Sequence, residues 1–247
     1  MTSYQDDSRA FILGGSCELA IGLAKCLVAK GLHPTLTHRS DGGKSRIDEA
    51  LKAAEGQYTC FPLDLGNVDT LASLDPVLAD GVDYWVDFAQ GDLEGLVAST
   101  DMGAVASYFK VNIANRAEVI QRVSRAMIAQ RKGRMVFVSS VAAGQPNPGQ
   151  GFYAAAKQAC EALYRSVGLE LASRGVTTVT LRPGYVGTGR GHHYLEKNAG
   201  TALAKVPLGR ALKTHEVVDT LMFLLSDSAQ GFNATVLTMD GGLSAGK

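Results

Sequence analysis

Short β-branched apolar runs alternate with longer amphipathic runs along this chain, and that alternation limits its fold more than any other feature. The strand-like runs are RAFILGG (9–15), HPTLTHRS (33–40), QYTCFPLDL (57–65), VDYWVDFAQ (82–90), GRMVFVSSV (133–141), VTTVTLRPG (176–184) and ATVLTMDGG (234–242). Between them lie runs with helical spacing of apolar residues, among them CELAIGLAKCLVAKG (17–31), KSRIDEALKAAEG (44–56), 103–131, 152–174 and KTHEVVDTLMFLLSD (213–227). Seven strands separated mostly by helices imply parallel pairing with helical crossovers on both faces of one sheet. In such a sheet ligands bind at the carboxyl ends of the strands, where the strand order switches. Two stretches read as loose: SDGGKS near 40–45 and the glycine-rich run from Gly184 to Gly200.

Composition narrows the class. The 247 residues are 46% apolar and 19% charged, enough to fill one large α/β core. Lys+Arg and Asp+Glu both number 24, so no basic surplus points to nucleic acid or to an anionic membrane face. Cys17, Cys26, Cys60 and Cys160 are scattered and read as reduced thiols of a cytoplasmic protein, neither a disulfide frame nor a zinc site. The opening MTSYQDDSR is polar, with no apolar signal region, and no run approaches the roughly 20 apolar residues that cross a bilayer.

Two features carry chemistry. The first strand runs into Gly14-Gly15-Ser16 and then a helix; glycines let the backbone approach a phosphate, and a helix start favours an anion. A plain tight turn would look the same. Tyr153 and Lys157 are four residues apart on one helical run, hence on one face. A phenol beside an ammonium loses its proton more easily, which is one way to build an acid–base group. Tyr-x-x-x-Lys alone also arises by chance.

Together these motifs resemble the short-chain dehydrogenase/reductase family over nearly the whole chain. The family's Thr-Gly-x-x-x-Gly-Ile-Gly turn maps onto Leu13 to Ala20, with Gly14 and Ser16 kept and Glu18 and Ala20 in place of later glycines. Its Asn-Asn-Ala-Gly maps onto Asp87-Phe88-Ala89-Gln90, where only the alanine matches and Gly91 comes one place late. The stretches PLDL, LRPGYVGT, VPLGR and MDGG agree better, and Ser140 precedes Tyr153 by thirteen residues, the family spacing. The expected fold is α/β, a Rossmann-type doubly wound parallel sheet of seven strands in a single domain covering 1–247. Its dinucleotide-binding half is expected at about 8–140 and its substrate lid at about 187–210.

The resemblance implies roles. Tyr153 would act as general acid, Ser140 would hold the substrate oxygen, Lys157 would lower the Tyr153 pKa and bond the nicotinamide ribose, and Asn112 in KVNIAN would hold a relay water. Gly14, Ser16, Cys17, Leu19, Asp64, Leu65, Ala89, Tyr153, Lys157, Pro183, Gly184, Val186 and Thr188 would line the cofactor. The second strand ends in His38-Arg39-Ser40 with no carboxylate, so Arg39 and Ser40 point to NADPH. Within the family the likeness is to β-ketoacyl-acyl-carrier-protein reductases, which implies an acyl thioester substrate, carrier contacts at Arg131 and Arg174, and fatty-acid or polyketide biosynthesis. Two other readings stay open: a reductase of a free small ketone or sugar, and a non-catalytic subunit of a mixed oligomer. Assembly as a homotetramer or homodimer is expected from the family. His192, His193 and Tyr194 are lid candidates, and no metal site is expected.

Overall fold

The computed structural model of the protein describes residues 8–245; the expectations for residues 1–7 and 246–247 lie outside that range. Its strands are β1 (Arg9–Leu13), β2 (His33–His38), β3 (Thr59–Pro62), β4 (Tyr84–Asp87), β5 (Gly133–Val138), β6 (Val176–Pro183) and β7 (Thr235–Met239). They form one sheet in the order β3-β2-β1-β4-β5-β6-β7, every pair parallel. The order reverses between β1 and β4, so a crevice opens there at the carboxyl edge.

The helices are α1 (Glu18–Ala29), α2 (Asp41–Ala50), α3 (Val68–Ala72), α4 (Leu74–Leu78), α5 (Met102–Phe109), α6 (Arg116–Gln130), α7 (Gly151–Leu171), α8 (Gly189–Leu203) and α9 (Thr214–Leu225). Side chains alternate across the sheet, which divides the core in two. Ala10 and Ile12 of β1 pack with α1 and α9, while Phe11 and Leu13 pack with α4, α6 and α7 around the fully buried Trp85. None of these helices is long and apolar enough to cross a membrane, among the described residues.

Both stretches read as loose contain helix. Ser40 caps α2 by accepting from the Gly43 N–H at 3.2 Å, so the helix begins at Asp41 despite its two glycines. The run from Gly184 holds most of α8, entered through Gly189 at φ +54. The long helix expected over 103–131 is interrupted: α5 and α6 are joined by a π-helical turn, Lys110–Asn115, which contains Asn112.

Candidate active site

Because the strands are parallel, the turns after β1, β4, β5 and β6 leave the same edge of the sheet. The first turn suits a dinucleotide. Gly14 has φ +77, and a Cβ there would lie 2.8 Å from the Ala89 nitrogen, so β1 and β4 turns touch as only glycine allows. Gly15 is as tight, its Cβ falling 2.6 Å from Leu36. Cys17 precedes α1, and its thiol stands by the Leu19 and Ala20 N–H groups at the helix start, the end of a helix that favours negative charge. Glu18 is exposed and Ala20 fully buried, so one departure from the family pattern stands in solvent and the other packs in the core. Leu19 packs against the α1–α9 core, and Ser16 lies near Gly43 at the start of α2.

The other cofactor candidates stand at the same carboxyl edge of the sheet. Asp64 accepts from the Gly66 N–H at 2.9 Å, and the Leu65 carbonyl accepts from Asn115 at 2.6 Å. Gly184 donates to the Met239 carbonyl at 2.8 Å and sits so close to Asp240 that a Cβ would fall 2.9 Å from its Cα. Pro183 ends β6, and Val186 is buried and bridged to Leu212. Thr188 precedes α8; its Oγ1 is buried and has no hydrogen-bond partner. A buried hydroxyl without a partner in a cleft is the kind of group that a ligand amide satisfies. These residues fit a dinucleotide.

Four catalytic candidates surround the ends of β4 and β5. Tyr153 and Lys157 lie in the first two turns of α7, and both are buried. Ser140 follows β5, accepts from the Ala142 N–H at 3.2 Å and stands near enough to the Tyr153 hydroxyl to bear on its ionisation. Burial raises the Tyr153 pKa; the Arg190 cation and the Ser140 hydroxyl pull it back down. The sequence expectation gave that work to Lys157. Instead the Arg190 guanidinium lies 4.8 Å over the centre of the Tyr153 ring, and Lys157 donates to the Val138 carbonyl at 2.8 Å and stands 4.7 Å over the Phe137 ring. Burial, helped by the nearby Arg116 cation, pushes the Lys157 pKa down to about 7. A half-neutral amine offers its neighbour less charge than a full ammonium does.

Asn112 is occupied. Its amide donates to the Tyr108 carbonyl at 2.9 Å and accepts from the Gly91 N–H at 2.8 Å. Its backbone carbonyl takes the Arg116 Nε at 3.1 Å and the Cys160 thiol at 3.2 Å. Asn112 thus ties the π-helical turn to the turn after β4, and no hydrogen bond joins it to Lys157.

Sequence reading missed three groups. Arg116 is fully buried and pairs with fully buried Asp87 at 2.7 Å, while Tyr164 donates to the same carboxylate at 2.9 Å. Asp87 also accepts from the Ala89 N–H at 3.0 Å, and Arg116 bonds the Ala89 carbonyl. Glu161 of α7 accepts from Ser139 at 2.5 Å and pairs with Arg182 of β6, which fixes the end of β5 against α7 and so Ser140 against Tyr153. Arg190 of α8 is the third. The departure at Asp87 was the one visible signal, since a buried carboxylate calls for a buried cation.

The two arginines read as carrier contacts stand elsewhere. Arg131 and Arg174 are exposed and lie just before β5 and β6, on adjoining turns joined by a 3.1 Å bond from the Gly133 N–H to the Gly175 carbonyl. That is the amino edge of the sheet, about 20 Å from the carboxyl edge given a rise of about 3.3 Å per residue.

A crevice at the switch point of a doubly wound sheet, with a hydroxyl pair and a buried amine beside it, defines the class of dinucleotide-dependent oxidoreductases. Comparison with known proteins names the family. A profile described as enoyl-(acyl carrier protein) reductase matches residues 17–244. A 3-oxoacyl-(acyl-carrier-protein) reductase of Thermotoga maritima is 31% identical over 209 residues, 82% of this chain and 85% of its own. One from Escherichia coli K12 is 28% identical over 240 residues, covering 95% of this chain and 96% of its own. Among solved structures, a Beutenbergia cavernae protein described as an NAD(P)-dependent gluconate 5-dehydrogenase, with NADP bound at low occupancy, superposes with a TM-score of 0.88 at 26% identity, over 96% of this chain and 97% of its own. The chain belongs to the short-chain dehydrogenase/reductase family and is an oxidoreductase.

The buried Lys157 has a consequence for stability. Below about pH 7 the ammonium carries its full burial penalty; between about 7 and 10.5 the folded chain holds fewer protons than the unfolded chain, so stability rises with pH. Relative to the wild type, Lys157→Met is therefore expected to gain most in the cofactor-free protein below pH 7, with the gain shrinking as pH climbs. Urea unfolding of both chains at pH 6 and pH 9 checks this; a pH-independent difference would contradict it.

Proposed function

We propose that the chain is an NADPH-dependent ketoreductase that reduces the β-keto group of an acyl thioester, carried on an acyl carrier protein, in fatty-acid or polyketide-type biosynthesis. The observation that carries this reading is the Ser140–Tyr153 hydroxyl pair beside buried Lys157, on the edge where the Gly14 turn opens. The bound cofactor supplies the hydride. Tyr153 gives its proton to the substrate oxygen, and Ser140 holds that oxygen as it gains charge. Lys157 holds the ribose side of the cofactor, and Gly14, Ser16, Cys17 and Leu19 receive the pyrophosphate. Asp64, Leu65 and Ala89 border the adenine side; Pro183, Gly184, Val186 and Thr188 border the nicotinamide. Residues 187–210 act as the lid. The carrier substrate is supported by relatives named 3-oxoacyl-(acyl-carrier-protein) reductases. NADPH consumption against a panel of β-ketoacyl thioesters tests it, and no turnover of any of them would refute it.

Arg131 and Arg174 enter this reading only through self-association. From the amino edge of one sheet a docked carrier delivers its acyl chain to the site of an adjoining copy, so the carrier role depends on the homotetramer or homodimer. The second reading, a reductase of a free small ketone or sugar, draws on the neighbour described as a gluconate 5-dehydrogenase. Turnover of free polyols or sugar acids in preference to thioesters would favour it.

The choice of NADPH rests on the end of β2. His38 is buried and bonded to the Ser40 carbonyl at 3.2 Å, while Arg39 is exposed and in no ion pair among the described residues. A free guanidinium at the start of α2 suits a ribose phosphate. Arg39→Ala is expected to weaken NADPH binding about 10- to 100-fold and NADH binding far less, the worth of one charge-assisted contact. Fluorescence titration with both cofactors measures the ratio; an unchanged ratio would remove Arg39 from the site.

A further inference from the structure

Arg190 is the second residue of α8 and the only cation the described residues place over the Tyr153 ring, 4.8 Å from its centre. Nη2 donates to the Gly91 carbonyl at 3.2 Å and pairs with the Asp92 carboxylate. Nη1 is buried and has no hydrogen-bond partner. The side-chain oxygen of Gln90, one residue from Gly91, is also buried and unpaired and does not take it. A buried donor without an acceptor carries a desolvation cost that a ligand oxygen removes.

We infer that Arg190 is a specificity-determining residue: its Nη1 donates to a second, uncharged oxygen of the substrate, the thioester carbonyl two carbons from the ketone held by Tyr153 and Ser140. The inference rests on the ketoreductase reading above and deepens it. Three observations favour this oxygen. The guanidinium stands over the ring whose hydroxyl meets the ketone, so a second acceptor on a short chain lies within its reach. Asp92 already balances its charge, so a further carboxylate would have to displace that pair, whereas a neutral carbonyl need not. The free group is the single nitrogen Nη1, with Nη2 already engaged, rather than the two-nitrogen fork that a carboxylate takes.

A β-keto substrate thus meets two fixed points, the hydroxyl pair at one carbonyl and Arg190 at the other. A simple ketone meets only the first. Discrimination of this kind is large because a site built to donate leaves its donor unmet when the acceptor is missing.

The test is steady-state kinetics at saturating NADPH on the full chain, comparing wild type, Arg190→Met and Arg190→Lys. The substrates are an acetoacetyl thioester of a pantetheine-like thiol, the matched simple ketone with the thioester carbonyl replaced by methylene, and free acetoacetate. Arg190→Met is expected to lower kcat/KM on the thioester about 10- to 100-fold more than on the simple ketone, mostly through KM. Arg190→Lys is expected to recover part of that ratio. NADPH titration of each variant shows that the fold and cofactor site persist. Equal losses on thioester and simple ketone, or no loss, would overturn the inference while leaving the ketoreductase reading intact. A wild-type preference for free acetoacetate that Arg190→Met abolishes would overturn the uncharged-oxygen assignment. A wild type inactive on every thioester would overturn both readings.

Discussion

Tyr153→Phe is expected to lower kcat by about 10²- to 10⁴-fold, the usual contribution of a positioned general acid, while NADPH binding stays within a few-fold of wild type. The change removes one oxygen and keeps the ring, so the contact with Arg190 and the packing of α7 survive. What disappears is the hydroxyl that faces Ser140 at the end of β5. On the proposed mechanism Ser140 would then still hold a substrate oxygen but would have no partner to deliver a proton. Burial keeps the Tyr153 phenol protonated, as a donor must be, and Arg190 and Ser140 keep that rise in check. Single-turnover measurement of NADPH oxidation separates this from a binding defect. Turnover near wild type in the variant would place the proton donor elsewhere and end the mechanism.

How far the sequence discloses this arrangement depends on the range of the interactions. The seven strands and their parallel pairing were legible because β-branched runs and helical spacing are local signals, and the chain repeats them in alternation. Helix α2 was only half legible: Gly42 and Gly43 argue against helix, and the Ser40 cap that outweighs them is a contact three residues long inside a stretch that reads as a loop. Helix α8 was hidden for the same reason, by Gly189, Gly191 and Gly200, and Arg190 was hidden with it. The spacing of Ser140, Tyr153 and Lys157 was visible, yet which cation faces the phenol was not. That depends on a lid helix folding back from 37 residues further on, and on a carbonyl at Val138 that captures Lys157.

The replaced Asn-Asn-Ala-Gly turn shows the same limit from the other side. Asp87 was plainly unusual, but its partner is 29 residues away at the start of α6, directly after the π-helical turn. Arg116 then does several things at once. It neutralises Asp87, bonds the Ala89 carbonyl and anchors the Asn112 carbonyl at 3.1 Å, so one guanidinium holds the β4 turn and the π-helical turn together. Tyr164, whose pKa burial and the adjacent Asp87 push well up, stays protonated and donates to the carboxylate, and Trp85 donates to Tyr164 at 3.1 Å.

Removing one half of such a pair leaves an uncompensated buried charge, so Arg116→Met is expected to destabilise the protein by about 3–5 kcal/mol. Adding Asp87→Asn should recover much of that loss. The amide still accepts from the Ala89 N–H, carries no charge, and restores the residue that the family pattern has at this place. The recovery cannot be complete, because the Ala89 and Asn112 carbonyls lose a donor in both variants. Urea unfolding of the wild type, the two single variants and the double variant gives the coupling directly. If the double variant is as unstable as the sum of the singles, the buried charge is not what Arg116 compensates, and its hydrogen bonds to the two carbonyls must carry the effect. The same proteins report on the site: in Arg116→Met Lys157 loses a cation that lowers its pKa while Asp87 still raises it, so its titration should move upward, and adding Asp87→Asn should largely cancel that shift. A shift in the alkaline limb of the kcat profile of Arg116→Met that Asp87→Asn reverses, with Tyr153 and Ser140 untouched, would tie this buried pair to the proton inventory of the site and not to the fold alone.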